Sequence, residues 1–149
     1  MRNVVVVDAS IAIKWVFEEP DSGTAESLLE EWSNEGKVML APALLIYEIT
    51  NALHRKIRKG EITHEAAKEA LEELFLLGFE LTFPQNTNLS LQAMKFAHRF
   101  NLPATYDSHY LALAQYEDCE LWTADMRLWN SLKGKLPWVR WMGEYSAQE

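Results

Sequence analysis

The sequence predicts an α/β domain with a mainly parallel sheet, and three observations carry that prediction. Short apolar runs alternate along the chain with longer stretches of helical spacing, the pattern of repeated β-α units. The first run, Val4-Val5-Val6-Val7, is β-branched throughout and offers no polar face, as befits a strand covered on both sides. Proline and glycine stand between the runs, at Pro20, Gly36, Pro42, Gly60, Pro84 and Pro103, and punctuate them into separate elements.

The 149 residues suit one domain, 1–149, around a single hydrophobic core, with a frayed tail from about residue 143. Hydrophobic residues make up 48% and charged residues 24%, as in an ordinary globular protein. No apolar run approaches the roughly 20 residues that a bilayer requires, so no membrane partner is expected. Met1-Arg2-Asn3 leads straight into a strand and leaves no room for a secretory signal, which makes a cytoplasmic location the expectation. The lone Cys119 excludes an internal disulfide and a cysteine-based zinc site, and reads as packing. A net charge of −8 argues against a broad nucleic-acid-coating surface. It leaves room for a polyanion bound through a local basic edge and a cation.

Taken in order, Ala9 to Phe17 is apolar enough for a short helix, broken by Glu18-Glu19-Pro20-Asp21. Asp21 or Ser22 can cap a helix reaching about Glu35, with Ala25, Leu28, Leu29 and Trp32 at helical spacing. Val38 to Ala41 is a second buried strand, stopped by Pro42. A third helix runs from about Ala43 to Lys59, its basic end suiting the dipole and Gly60 following it. A fourth starts at Thr63 and ends near Gly78. Phe79 to Phe83 alternates in period two, which places it nearer the sheet edge. Asn88 to Phe100 is helical, and Asn101-Leu102-Pro103 turns the chain. Thr105 can cap a helix carrying Asp107 in its first turn. Glu120 to Thr123 is a short strand, Ala124-Asp125 leads into a helix to about Leu132, and Pro137 to Trp141 is the last strand. The six tryptophans and five tyrosines read mostly as core.

Four acids share a placement that most of the 22 do not. Asp8 and Asp125 follow the ends of apolar strands, where open parallel sheets bind their ligands. Asp107 lies in a first helical turn, and Glu48 sits about a turn and a half after Pro42. Each has a bland reading as a cap, a dipole partner or a solvated residue. Yet Glu48 is embedded among Leu45, Ile46, Tyr47 and Ile49, a poor setting for an idle glutamate. In a parallel sheet all four converge on one end. Clustered carboxylates need a cation to stay ionised. An all-oxygen set selects Mg²⁺ or Mn²⁺, which can activate water for hydrolysis of a phosphodiester. Ser10, Asn51 and Thr123 stand beside the acids as small polar residues able to orient them.

The segments Val7-Asp8-Ala9-Ser10 with Lys14-Trp15, Tyr47 to Leu53, Thr105 to Ala114 and Thr123 to Leu128 together resemble the PIN domain. More narrowly they resemble the VapC-type ribonuclease toxins of toxin–antitoxin pairs, with order and spacing agreeing from Asn3 to about Trp141. The resemblance implies a three-layer α/β/α fold with a central five-stranded parallel sheet, and RNA cleavage dependent on Mg²⁺ or Mn²⁺. It makes Asp8, Glu48, Asp107 and Asp125 the acidic quartet around the metal, and matches Ser10, Thr123 and Asn51 to polar positions beside it. It also implies a homodimer, and a small antitoxin that lays a peptide along a hydrophobic groove. Trp15, Phe17 and Leu45, on the first and third helices, are the candidate lining of that groove. Arg55, Lys56, Arg58 and Lys59 at the end of the third helix, with Lys14, are the candidate RNA contacts. His109 departs from the small or apolar residue common in the family and reads as a hydrogen-bonded histidine.

Other chemistries fit less well. A haloacid-dehalogenase-like phosphatase wants a second aspartate where this chain has Ser10. A receiver domain wants paired acids after the first strand, where Asp8-Ala9 stands, and a lysine after the last. A non-toxin PIN nuclease of RNA processing and a silent PIN-like binding module are the remaining alternatives. The silent module is disfavoured because every acid is present.

Overall fold

The computed structural model describes residues 2–145. In it five strands form one parallel sheet: β1 (Val4–Val7), β2 (Val38–Pro42), β3 (Glu80–Thr82), β4 (Leu121–Thr123) and β5 (Val139–Trp141). Their spatial order is β3-β2-β1-β4-β5, so the four-valine strand is the centre of the sheet and β3 is an edge, as its period-two pattern predicts. Val6 pairs with Leu40 on one side and with Leu121 on the other. The helices are α1 (Ala9–Val16), α2 (Ser22–Asn34), α3 (Leu44–Arg58), α4 (His64–Leu76), α5 (Asn88–Arg99), α6 (Tyr106–Glu117) and α7 (Met126–Leu132).

Strand alternation assigns the two faces of the sheet. Val4, Val6, Leu40, Leu121 and Val139 point into a large core shared with α3, α4, α5, α6 and α7. Val5, Val7, Met39 and Trp122 point the other way, against Ala25, Leu28 and Trp32 of α2. The result is the expected three-layer α/β/α arrangement, in which β1 is buried along its whole length.

Local chemistry explains most boundaries. Gly36, at φ +69°, closes α2 in the left-handed conformation that glycine adopts without a Cβ clash. Gly60 does the same after α3, at φ +74°. Thr63 caps α4 by accepting from the Ala66 amide. Thr105 does not cap α6 through its side chain. Its carbonyl instead accepts from Ser108 Oγ and from His109 Nδ1. Pro42 lies inside β2, pairing with Thr82, which is tolerable because only its missing N–H would weaken the ladder.

Two broader expectations need correction. Residues 142–144 form a short 3-10 turn with Met142 buried, and the Tyr145 ring packs on Trp122, so the chain is built up to residue 145. The remainder of the expected frayed tail lies outside the described residues. Tyrosine is also not mainly a core residue here: Tyr47, Tyr106 and Tyr116 are exposed, because an exposed ring with a wet hydroxyl costs little at a helix start or end.

Candidate active site

Asp8 and Asp125 reach the carboxyl edge of the sheet by the same local device. Each ends a strand, turns extended, and caps the following helix: Asp8 accepts from the Ser10 amide, Asp125 from the Arg127 and Leu128 amides. β1 and β4 are neighbours in the sheet, so the two caps lie side by side. The capping reading of these residues is therefore correct, and it is compatible with a site at the sheet edge. The capping holds the carboxylates in place.

A hydroxyl clasp joins the two strand ends. Ser10 Oγ donates to Asp8 Oδ1 and accepts from the Ala124 amide at 2.8 Å. Thr123 Oγ1 lies 3.3 Å from Ser10 Oγ and accepts from the Asp125 amide at 3.0 Å. Thr123 is fully buried and Asp8 is 4% exposed. Ser10 and Thr123 thus stand where small orienting residues were expected.

The other two acids arrive on helices. Glu48 comes from α3, which begins directly after β2, and Asp107 from the first turn of α6. Glu48 Oε1 accepts a 2.7 Å hydrogen bond from the Tyr110 hydroxyl, and Tyr110 is completely buried. Tyr110 is a site residue that the apolar reading of α6 missed. The signal was present: a tyrosine one turn after Asp107 on an inward face needs a partner for its hydroxyl. Asn51, by contrast, is exposed and hydrogen-bonds to none of the four acids, so it does not orient Glu48. Three residues along the helix is 60° off the direction of Glu48, enough to carry a short amide to solvent.

The electrostatics tie the acids together. Burial pushes the Asp8 carboxyl up to about 7; bonds from Ser10 and Thr123 oppose the rise, and the charges of Asp107 and Asp125 add to it. Glu48 is raised by burial and then by Asp107, against the bond from Tyr110. Asp107 is raised by burial and by Asp125. Burial and the neighbouring carboxylates push Tyr110 upward, so it remains a donor. Among the described residues no three acids, histidines or cysteines are closed around a single ion position. Asp8, Asp107 and Asp125 nevertheless act on one another through charge, and Asp107 acts on Glu48. The donor set is that of a hard divalent cation: oxygen only, several charges and, among the described residues, none of these four acids in an ion pair.

The expected RNA contacts divide. Arg55, Arg58 and Lys59 are exposed at the end of α3. Lys14 is not available: it pairs with Asp21 at 2.7 Å and Glu19 at 3.2 Å, and its side chain is 11% exposed. It fastens α1 to the loop before α2, which is why Asp21 makes no cap bond. Lys56 lies 4.1 Å over the Phe17 ring and near Glu61, so its charge is directed inward. The expected groove residues fail more completely. Leu45 is fully buried. Trp15 donates Nε1–H to the Ala25 carbonyl at 2.7 Å and packs against Trp32 and Phe79. Phe17 is half-buried under Lys56. The Trp15 ring closes the interior between α1, α2 and the sheet, and Phe17 packs on the α3 side. An apolar groove of about 870 Å³ lies between α3 and α4, lined by Leu53, Ile57, Ala67, Leu71 and Phe75. His109 is hydrogen-bonded as expected, through Nδ1 to the Thr105 carbonyl and with Nε2 3.4 Å from Ser90 Oγ. Cys119 packs against the core, and burial raises its thiol to about 11.

Known proteins share this plan. The chain is 35% identical over 88 residues to Ribonuclease VapC1 of Mycobacterium tuberculosis, an alignment covering 59% of this chain and 63% of the relative's length. Its fold superposes on VapC20 of Mycobacterium tuberculosis, a sarcin-ricin loop cleaving toxin, with TM-score 0.65 and 18% identity over 85% of this chain and 94% of that one. It superposes on a toxin–antitoxin complex from Klebsiella pneumoniae with TM-score 0.60 and 17% identity, over 97% and 98% of the two chains. Residues 5–133, from the second residue of the central strand to just past α7, match the PIN domain family model. That span contains every strand-end and helix acid described above, and the chain belongs to the PIN domain family.

Proposed function

We propose that the chain is a divalent-metal-dependent endoribonuclease, the toxin of a toxin–antitoxin pair. The observation that carries the nuclease reading is the convergence of Asp8, Glu48, Asp107 and Asp125 on the carboxyl edge of the sheet, three of them with carboxyls raised by burial and by neighbouring acids. Asp8, Glu48, Asp107 and Asp125 would hold Mg²⁺ or Mn²⁺. Such an ion, when bound, supplies charge neutralisation for a phosphodiester and a more acidic water. The chain's own part is orientation: Ser10 and Thr123 fix Asp8, the α7 amides fix Asp125, and Tyr110 fixes Glu48. Arg55, Arg58 and Lys59 give the RNA backbone a basic edge on an otherwise acidic protein.

The α3–α4 groove is the surface suited to an antitoxin. Its apolar floor and a rim of His54, Lys68 and Glu72 fit one face of an amphipathic segment. Leu91 and Met94, exposed one turn apart on α5, are the surface suited to a second copy of the chain. The test is cleavage of a structured RNA by purified protein with Mg²⁺ or Mn²⁺, with chelator, and with the product of a neighbouring small gene. Cleavage that needs the ion and is suppressed by that product supports the toxin. Ion-dependent cleavage with no such inhibitor makes the chain a processing nuclease, and no cleavage with either ion overturns the reading.

A further inference from the structure

A second cavity, about 410 Å³, opens beside the acids and takes no part in the arrangement above. It is walled by Tyr47, Phe83 and Tyr106, which are 69%, 58% and 62% exposed, with Pro42 and Leu89 behind them. Its size is that of small-molecule sites, roughly 300–1,000 Å³. Three features set it apart from an incidental apolar surface. Pro42 and Thr82 end β2 and β3, and Tyr47 and Tyr106 lie in the first turns of the helices that carry Glu48 and Asp107, so the cavity opens at the same carboxyl edge of the sheet as the acids. The wall is aromatic, where the α3–α4 groove is mainly aliphatic with a single ring, Phe75. Polar atoms stand among the rings: His109 Nδ1–H donates to the Thr105 carbonyl, and the Ser90 hydroxyl lies 3.4 Å from Nε2.

We infer that this cavity seats an unpaired RNA base flanking the cleaved phosphodiester, stacked against Tyr47 and Tyr106. The inference rests on the nuclease reading of the acid cluster and adds to it a seat for one base. Stacking suits the charge balance of the protein. An acidic chain cannot draw RNA in by a broad basic surface, and aromatic faces bind bases without adding charge.

The experiment measures binding of a short single-stranded oligoribonucleotide, with chelator present to prevent cleavage, alongside an abasic oligonucleotide of the same length. Tyr47→Ala and Tyr106→Ala should each weaken the oligoribonucleotide by about fivefold to a hundredfold, the range for loss of one base–aromatic stack. Tyr47→Phe and Tyr106→Phe should keep most of the affinity, because the ring face is retained. The abasic strand should bind weakly to all forms. Equal binding of normal and abasic strands, or unchanged binding in both alanine variants, overturns the inference. So does a shift from dimer to monomer in Tyr47→Ala or Tyr106→Ala with binding unchanged, which would make the face a contact between copies of this chain. The nuclease reading fails separately: parent protein that binds the base-bearing strand but cuts no RNA with Mg²⁺ or Mn²⁺ loses the activity and keeps the base site. Cleavage by the parent with unaltered alanine variants does the reverse.

Discussion

The acids delivered by strands and those delivered by helices are held differently. Asp8 and Asp125 are fastened by backbone amides of the helices they cap and by the Ser10–Thr123 clasp. Among the described residues Glu48 has one side-chain donor, Tyr110, and Asp107 accepts no side-chain hydrogen bond. One pair is therefore part of the architecture and the other is carried by it. Removing a strand-end acid should disturb fold and site together, whereas removing a helix acid should disturb the site alone.

The largest effect that separates the pairs is on catalysis without loss of fold. Asp107→Asn should reduce metal-dependent RNA cleavage on the order of a hundredfold or more, since even residues that merely orient metal ligands cost ten- to a hundredfold. Its thermal midpoint without metal should be equal or higher, because one repulsive charge has gone. Asp8→Ala should match it in lost activity but also lose the α1 cap, about 0.5–2 kcal/mol, in denaturant unfolding. A helix-acid variant that unfolds as readily as Asp8→Ala would break the distinction.

Acidity sharpens it next. The folded Asp8 carboxyl keeps its proton to about 7, well above the ordinary aspartate value, so between those values the native state holds a proton that the unfolded chain has released. Stability of the metal-free protein should accordingly fall as pH rises from about 4 to about 7, by on the order of a few kcal/mol. Glu48 and Asp107 push in the same direction. Asp8→Asn should flatten the slope. Mg²⁺ should raise the midpoint most near neutral pH, by mass action on the folded state alone. Denaturant titrations across that pH range, with and without the ion, decide this.

A smaller effect should follow from Tyr110→Phe, which removes the one donor to Glu48 and leaves the packing. Cleavage should fall roughly tenfold, with about 1.5–3 kcal/mol less stability for a hydrogen bond to a charged group. The smallest should be Asn51→Ala: activity within about twofold and stability within about 0.5 kcal/mol, as for a surface residue touching nothing at the site. A marked loss there would restore Asn51 to the site.

The architecture was legible because each element carried its own signal. The four valines announce a doubly covered strand, and the acids after Val7 and Thr123 stand at strand ends whatever the sheet order. What the sequence left obscure depends on rotation about helices and on pairings across loops. Tyr110 and Asn51 both sit three residues from an acid, yet one turns inward and the other outward. Lys14 looks free until Asp21 folds back onto it. Trp15 and Leu45 have the composition of a binding groove, but the same composition also closes a core, and only the packing of α1 against α2 and the sheet decides between them. The groove between α3 and α4 went unread because two amphipathic helices in sequence do not state how closely they pack.

The clasp between Ser10 and the Ala124 amide joins positions 114 residues apart. Synthesis runs from the N-terminus, so the central strand is made well before its neighbour β4 and Asp125. A partly translated chain can have three of the acids and still lack the strand that brings the fourth beside Asp8. For a proposed ribonuclease this orders events at the ribosome: the blade is not assembled until β4 has emerged to meet the central strand.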